Sequence, residues 1–168
     1  MTCDICETSM RERETTPAAP YFYTLAWLPH VQLTGITVFE CAAGHGSVPV
    51  IPRIGELHRV ITKAFVEKPG ALTGPELRFL RKNAGFSAKK FAALLVVDPA
   101  HLSRVENGKQ KALGPSTDRL ARLIALAAVK GGEPVREVLL READASIKRK
   151  KQQATMFTLE KNHWKAAA

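Results

Sequence analysis

Three cysteines and one histidine carry the chemistry most easily read from this chain: Cys3, Cys6, Cys41 and His45. Cys3-x2-Cys6 puts two thiolates on one tight turn, both able to reach a metal ion at about 2.3 Å. Cys41 and His45, within Phe39-Glu40-Cys41-Ala42-Ala43-Gly44-His45-Gly46, offer a second pair, and the glycines flanking His45 suit a second turn. The whole pattern is Cys-x2-Cys-x34-Cys-x3-His, the plan of a zinc ribbon with two knuckles at the ends of a small sheet. Four ligands with no spare position make such an ion structural, because a catalytic site keeps one position open. One structural zinc per chain is the expected cofactor. His30, after Pro29, is the rival fourth ligand, and incidental reduced cysteines are the plainer alternative. A water in the fourth position would allow metal-assisted hydrolysis, but no carboxylate stands at a spacing suited to a general base. No enzymatic activity is expected.

The elements that must position these ligands are short strands. Tyr21-Phe22-Tyr23-Thr24-Leu25-Ala26-Trp27 and the stretch from Val31 to Phe39, with Leu33, Ile36 and Val38, have strand composition. Residues 1–50 therefore form an expected α+β zinc module. So short a segment with few large aliphatics buries little surface, and a metal would compensate. Over residues 51–68, Leu57, Val60, Ile61, Ala64 and Phe65 follow one helical face. That spacing predicts a connecting helix at 54–67, stopped by Pro69-Gly70, with its stripe packed on the adjacent domain or on the same helix of a second chain.

The second chemistry is electrostatic. The chain has 168 residues and a formal charge of +9, from 25 Lys plus Arg against 16 Asp plus Glu. Residues 1–68 are net −1, residues 69–130 net +7 and residues 131–168 net +3. The surplus sits in a segment with its own helical pattern, which favours a polyanion-binding face over a merely solvated one. No apolar run is long enough to span a membrane, and the N-terminus lacks the look of a signal peptide. Three cysteines, two of them close together, suggest a reduced, cytoplasmic chain.

Residues 69–130 predict an all-helical domain of four to five helices. Thr73 with Glu76 forms a capping box, with Leu77, Leu80 and Ala84 on one face, and Asn83-Ala84-Gly85 ends that helix. Ser87 caps a second helix that turns Phe91, Ala92 and Leu95 inward. Asp98-Pro99 starts a third, anchored by Leu102 and Val105 and stopped by Asn107-Gly108. Ser116 is expected to cap a fourth, with Leu120, Leu123, Ile124 and Ala127 inward. The pair 87–95 and 98–106, joined by Val96-Val97, has helix-turn-helix spacing. The third helix then presents Pro99, Ala100, His101, Ser103 and Arg104 outward, at the end that reaches base edges in a major groove. Arg104 can pair with guanine O6 and N7, while Ala100 offers only apolar contact. Ser87, Lys89 and Lys90, with Asn107, Lys109 and Lys111, are expected at the backbone of double-stranded DNA.

The runs Gly74-Pro75-Glu76-Leu77-Arg78-Phe79-Leu80-Arg81-Lys82, Ser87-Ala88-Lys89-Lys90-Phe91-Ala92 and Leu102-Ser103-Arg104-Val105-Glu106-Asn107-Gly108-Lys109 resemble an Xre/Cro-type helix-turn-helix. With Cys3-x2-Cys6 and the Leu57-His58-Arg59 connector, residues 1–128 resemble MqsA-type antitoxins. The resemblance implies an internal ion pair of Arg81 with Glu106 and base reading by Arg104. It also implies a homodimer on a palindromic operator and a toxin protein bound by the zinc module. A regulator of the same build without a toxin is the alternative. Three positions depart from the family pattern. Val96 replaces the usual turn glycine, and a β-branched residue is strained at positive φ, so a different turn is open to it. Ala88 replaces a glutamine that bonds DNA, and His45 stands where many relatives carry cysteine. In residues 131–168, Pro134, Val135, Val138, Leu139 and Ala143 suggest a further helix, followed by the basic stretch Lys148 to Lys151 and a polar tail with Met156, Phe157, Leu159 and Trp164.

Overall fold

The computed structural model describes residues 1–130 and two short strands at 157–160 and 163–166. A small antiparallel β module is followed by five helices. The helix expected around Val135–143 and the basic stretch at 148–151 lie outside the described residues.

In the β module, β1 (Arg11–Glu14), β4 (Thr37–Glu40) and β5 (Ser47–Val50) form one antiparallel sheet in the order β1-β4-β5. Arg11 faces Glu40 across the first pair, and Glu40 faces Ser47 across the second. β2 (Tyr21–Tyr23) and β3 (Leu28–Leu33) form a separate hairpin. Alternation is plain in β2, where Tyr21 and Tyr23 are buried and Phe22 is exposed. The expected continuous strand over residues 21–27 breaks instead into a 3-10 turn at Thr24–Ala26, ending at Trp27 with φ 60. β1 and β5 carry no periodic apolar signal, being Arg-Glu-Arg-Glu and Ser-Val-Pro-Val; the backbone ladder places them, joined on β1 by the Arg13–Glu40 ion pair to β4. Thr15 ties the two sheets' connections together: its buried hydroxyl accepts from the Ile36 amide and donates to the Ile36 carbonyl, both at 3.0 Å.

Helix α1 (Ile54–Glu67) has the expected bounds, but its buried face is rotated. Ile61, Thr62 and Phe65 are buried, while Val60 and Ala64 face solvent. Polar bonds turn it: Thr62 Oγ1 accepts from Asn83 at 2.8 Å, and His58 Nε2 meets the Tyr23 hydroxyl at 2.8 Å. A buried hydroxyl with a partner costs far less than one without, so those pairings outrank the exposure of one valine.

α2 (Gly74–Asn83), α3 (Ala88–Leu94), α4 (Pro99–Glu106) and α5 (Pro115–Lys130) complete the helical half. The caps are local and complete. Thr73 and Glu76 make the reciprocal box, Ser87 Oγ accepts from the Lys90 amide at 3.3 Å, and Asp98 accepts from the His101 amide at 3.0 Å. α5 begins at Pro115, so Ser116 lies inside the first turn rather than at the cap. Its inward face is Ala121, Arg122, Ile124, Ala125 and Ala128, with Leu120 and Leu123 exposed. Asp118 and Arg122 dictate that rotation. Asp118 accepts from the Leu72 amide at 2.8 Å and from Arg122 Nε at 2.7 Å, and Arg122 donates to the carbonyls of Phe65, Val66, Lys68 and Gly70. The guanidinium thus satisfies the open carbonyls at the end of α1 and fixes the Pro69-Gly70 joint to α5.

One apolar core runs through both halves, from Tyr23, Leu28 and Val38 through Phe65 and Phe79 to Phe91, Leu102 and Ile124. No helix among the described residues is long and apolar enough to cross a membrane. β6 (Phe157–Glu160) and β7 (His163–Ala166) pair antiparallel, with Leu159 opposite Trp164.

Candidate metal centre and nucleic-acid interface

The cysteine-bearing turns meet at one end of the β1-β4-β5 sheet. Cys3 and Cys6 lie on the turn before β1, closed by Cys3 N–H to Thr8 O at 2.9 Å and Glu7 N–H to Cys3 O at 2.8 Å. Cys41 directly follows β4, and His45 sits in the β4–β5 connection. There Gly44 and Gly46 take φ 77 and 141, values that a side chain would resist. The four ligand atoms all lie within 4.8 Å of one another. Cys6 Sγ is 3.5 Å from Cys41 Sγ, and His45 Nδ1 is 3.8 Å from Cys3 Sγ and 3.7 Å from Cys41 Sγ.

A tetrahedron of thiolates bonded at about 2.3 Å has edges of about 3.8 Å, so these separations fit one ion at the centre. The Thr8 hydroxyl, 3.0 Å from Cys6 Sγ, and the Thr8 backbone lower that thiol to about 6, favouring the thiolate a metal needs. His30 is not part of the cluster. It stacks on Phe65 at 6.0 Å and approaches Glu76 at 3.4 Å, which separates the two candidates for the fourth position in favour of His45. Cys3, Cys6, Cys41 and His45 can therefore hold a metal ion together.

The second site is built on α4. Leu102 and Val105 are buried, so Pro99, Ala100, Ser103 and Arg104 face solvent and His101 is half-buried. Lys89, Lys109 and Lys111 are exposed around this helix, and Lys90 is half-buried. The Asn107 amide donates to Ser103 O at 2.8 Å, folding the helix end over its own last turn. Gln110 carries no signal in the sequence pattern, yet its Oε1 accepts from Arg104 Nε at 3.1 Å and lies 3.0 Å from His101 Nδ1. Gly108, at φ 69, turns the chain back far enough to bring it there. Gln110 thereby holds the arginine's shaft while leaving the terminal guanidinium nitrogens open.

Behind α4 the support is rigid. Arg81 pairs with Glu106 through two bonds of 2.7 and 2.8 Å, and its third donor reaches Phe86 O at 2.9 Å. Both residues are buried, so α2 and α4 are locked by a bidentate ion pair with every charged edge bonded. Gly74 permits this approach: a Cβ there would stand 2.2 Å from Val105 O. The turn between α3 and α4 keeps its left-handed residue, with Val96 at φ 55 despite its β-branch and 74% exposed. The departure from glycine has changed the strain and not the path. Of the basic surplus, Arg81 and Arg122 are spent on buried pairs, whereas Lys82, Lys89, Arg104, Lys109, Lys111 and Arg119 are exposed.

Residues 74–138 match a family model described as a helix-turn-helix domain. The matched stretch starts at the first residue of α2 and includes all of α3, α4 and α5. No curated protein and no solved structure matches the chain. The helix-turn-helix domain suggests a DNA-binding regulator, and it is joined to four residues that could hold a metal ion.

Proposed function

We propose that this protein is a sequence-specific transcriptional repressor acting in the cytoplasm, and that it is the antitoxin of a toxin–antitoxin pair that represses its own operon. The observation that carries the reading is the open face of α4. Arg104 is exposed and oriented by Gln110, in a helix whose back is locked by Arg81 and Glu106. A rigid helix with a presented guanidinium suits guanine O6 and N7 in a major groove, with Ala100 against a thymine methyl. Ser87, Lys89, Lys90, Asn107, Lys109 and Lys111 serve the phosphates, and a homodimer sets two such helices on a palindromic operator. The ion is zinc, held structurally by four protein ligands with none of the open coordination that hydrolysis needs. The chemistry is recognition, not catalysis.

A gel shift with the DNA upstream of the protein's own gene tests this. Arg104→Ala should weaken specific binding by about 1–3 kcal/mol and leave non-specific binding nearly intact. Affinity should fall steeply between about 50 and 200 mM salt as counterions are released; a flat response ends the reading. The antitoxin half rests on the likeness to MqsA-type antitoxins and on the metal-bearing module. Co-purification with the product of the adjacent gene supports it, and its absence leaves a regulator without a toxin.

A further inference from the structure

Outside the metal cluster and the exposed face of α4, a cleft of about 260 Å³ opens at the seam between the β2–β3 turn and α2. Leu25, Trp27 and Phe79 form its apolar walls, and Arg78, Lys82 and His58 its polar ones, with no Asp or Glu in the lining. Arg78 is the unusual member. Its guanidinium carbon lies 4.8 Å from the Trp27 ring centroid, and its Nε is buried with no hydrogen-bond partner. Among the described residues no carboxylate pairs with it. Buried charged donors are almost always satisfied, and a guanidinium edge matches a carboxylate best.

Trp27 adds a second observation. It is held at φ 60, a left-handed conformation disfavoured for an aromatic residue, and this throws the indole over Arg78 while leaving 61% of the residue exposed. Leu25, on the same turn, is 65% exposed. Strain that fixes an exposed aromatic beside an unpaired cation is a feature associated with binding sites rather than with packing. The volume falls just below the roughly 300–1,000 Å³ of sites for drug-sized ligands, which limits the occupant to about one ring.

We propose that this cleft binds a small aromatic monocarboxylate, its carboxylate on the terminal nitrogens of Arg78, since Nε is closed to solvent, and its ring between Trp27, Leu25 and Phe79. Lys82 adds to the attraction, and the one carboxylate that shares a neighbouring pocket with Arg78, Glu106, is already engaged by Arg81.

The test is titration of the full chain with benzoate, phenylacetate and indole-3-carboxylate, followed by Trp27 fluorescence in a Trp164→Phe background and by thermal melting. Saturable quenching and a melting temperature that climbs with ligand are expected, since a ligand that binds only the folded chain stabilises it. Benzamide, which lacks the charge, should bind at least about tenfold more weakly, and Arg78→Gln should cost the same factor or more. Should Arg78→Gln fail to fold, Leu25→Glu, an exposed change that places a negative charge at the mouth, is expected to weaken binding by a comparable factor. No saturable response at millimolar carboxylate, equal binding of benzamide, or indifference to both variants overturns the proposal. So does saturation by a peptide ending in a phenylalanine carboxylate where benzoate gives none, because the cleft would then take a protein segment.

Discussion

The cysteine-bearing sheet and the helix-turn-helix domain solve the same problem by different means. In the β1-β4-β5 sheet, Val38 is the one fully buried aliphatic, and what closes its end is the cluster of Cys3, Cys6, Cys41 and His45. In the helical half, Leu77, Leu80, Phe91, Leu102 and Val105 are buried together, and a bidentate ion pair locks the helices that matter for recognition. One region has four side chains placed for coordination and contributes little beyond Val38 to the shared core, while the other is held by packing. Small segments without a sizeable core need the first device, and a domain presenting a rigid helix needs the second. Between them, the hairpin β2–β3 belongs energetically to the helices: Tyr23 and Leu28 are buried in the shared core with Phe65 and Phe79.

Removing the ion is the change expected to separate the two regions most. Structural zinc in small finger peptides is worth about 10–16 kcal/mol of apparent folding free energy near neutral pH. Chelation, or Cys41→Ser, should therefore open amide exchange over residues 1–14 and 37–50 while α2 to α5 keep their protection and their helical circular dichroism. Loss of both together would show one cooperative unit and erase the contrast.

The converse experiment strikes the helical half. Glu106→Gln leaves Arg81 buried without its counter-charge, and a broken buried pair typically costs about 3–5 kcal/mol. Chemical denaturation should show that loss in the helical transition, with the cysteine turns still able to take up metal at low denaturant. A loss of under about 1 kcal/mol would mean that water reaches the pair and that it locks nothing.

The joint is weaker and responds to pH. Glu76, buried in α2, accepts from Lys68 Nζ at 2.8 and 3.0 Å and from the Thr73 amide at 2.7 Å, with His30 of β3 at 3.4 Å. Burial alone would raise this carboxyl, but the Lys68 ammonium and the Thr73 amide and hydroxyl outweigh it and hold it below the usual range. A depressed acid stabilises the fold above its unfolded pKa and withdraws that support as pH falls through the folded one. Stability should thus decline on acidification below the ordinary glutamate range. Glu76→Gln should remove that part of the slope and cost about 1.5–3 kcal/mol at neutral pH. An unchanged slope in the variant would assign the acid sensitivity to other groups.

What the sequence disclosed divides along the same line. Caps are local, so Thr73 with Glu76, Ser87 and Asp98-Pro99 announced their helices, and the spacing of Cys3, Cys6, Cys41 and His45 announced the cluster. Faces set by distant partners were not legible. Periodicity placed Val60 and Leu123 inward, but Thr62 reaching Asn83 and Asp118 reaching Leu72 turned those helices by polar bonds no local pattern encodes. The roles of Gly74 and Gln110 were illegible for the same reason, since one is defined by the carbonyl of Val105 and the other by the guanidinium of Arg104.

Val96 supplies the finest probe of the contrast, because it lies in the packed region yet is held against its own preference. An L-residue in the left-handed region costs roughly 1–2 kcal/mol, while glycine gives back part of that gain through its freer unfolded chain. Val96 is 74% exposed, so removing its side chain forfeits little burial. Val96→Gly should accordingly raise stability by about 1 kcal/mol, read as a later denaturation midpoint with an unchanged slope. Metal retention at Cys3, Cys6, Cys41 and His45 should not move, since no part of the cluster touches this turn. A destabilised variant would mean that the valine contributes contacts beyond those of a solvent-facing side chain, and that the turn owes its path to packing rather than tolerating it.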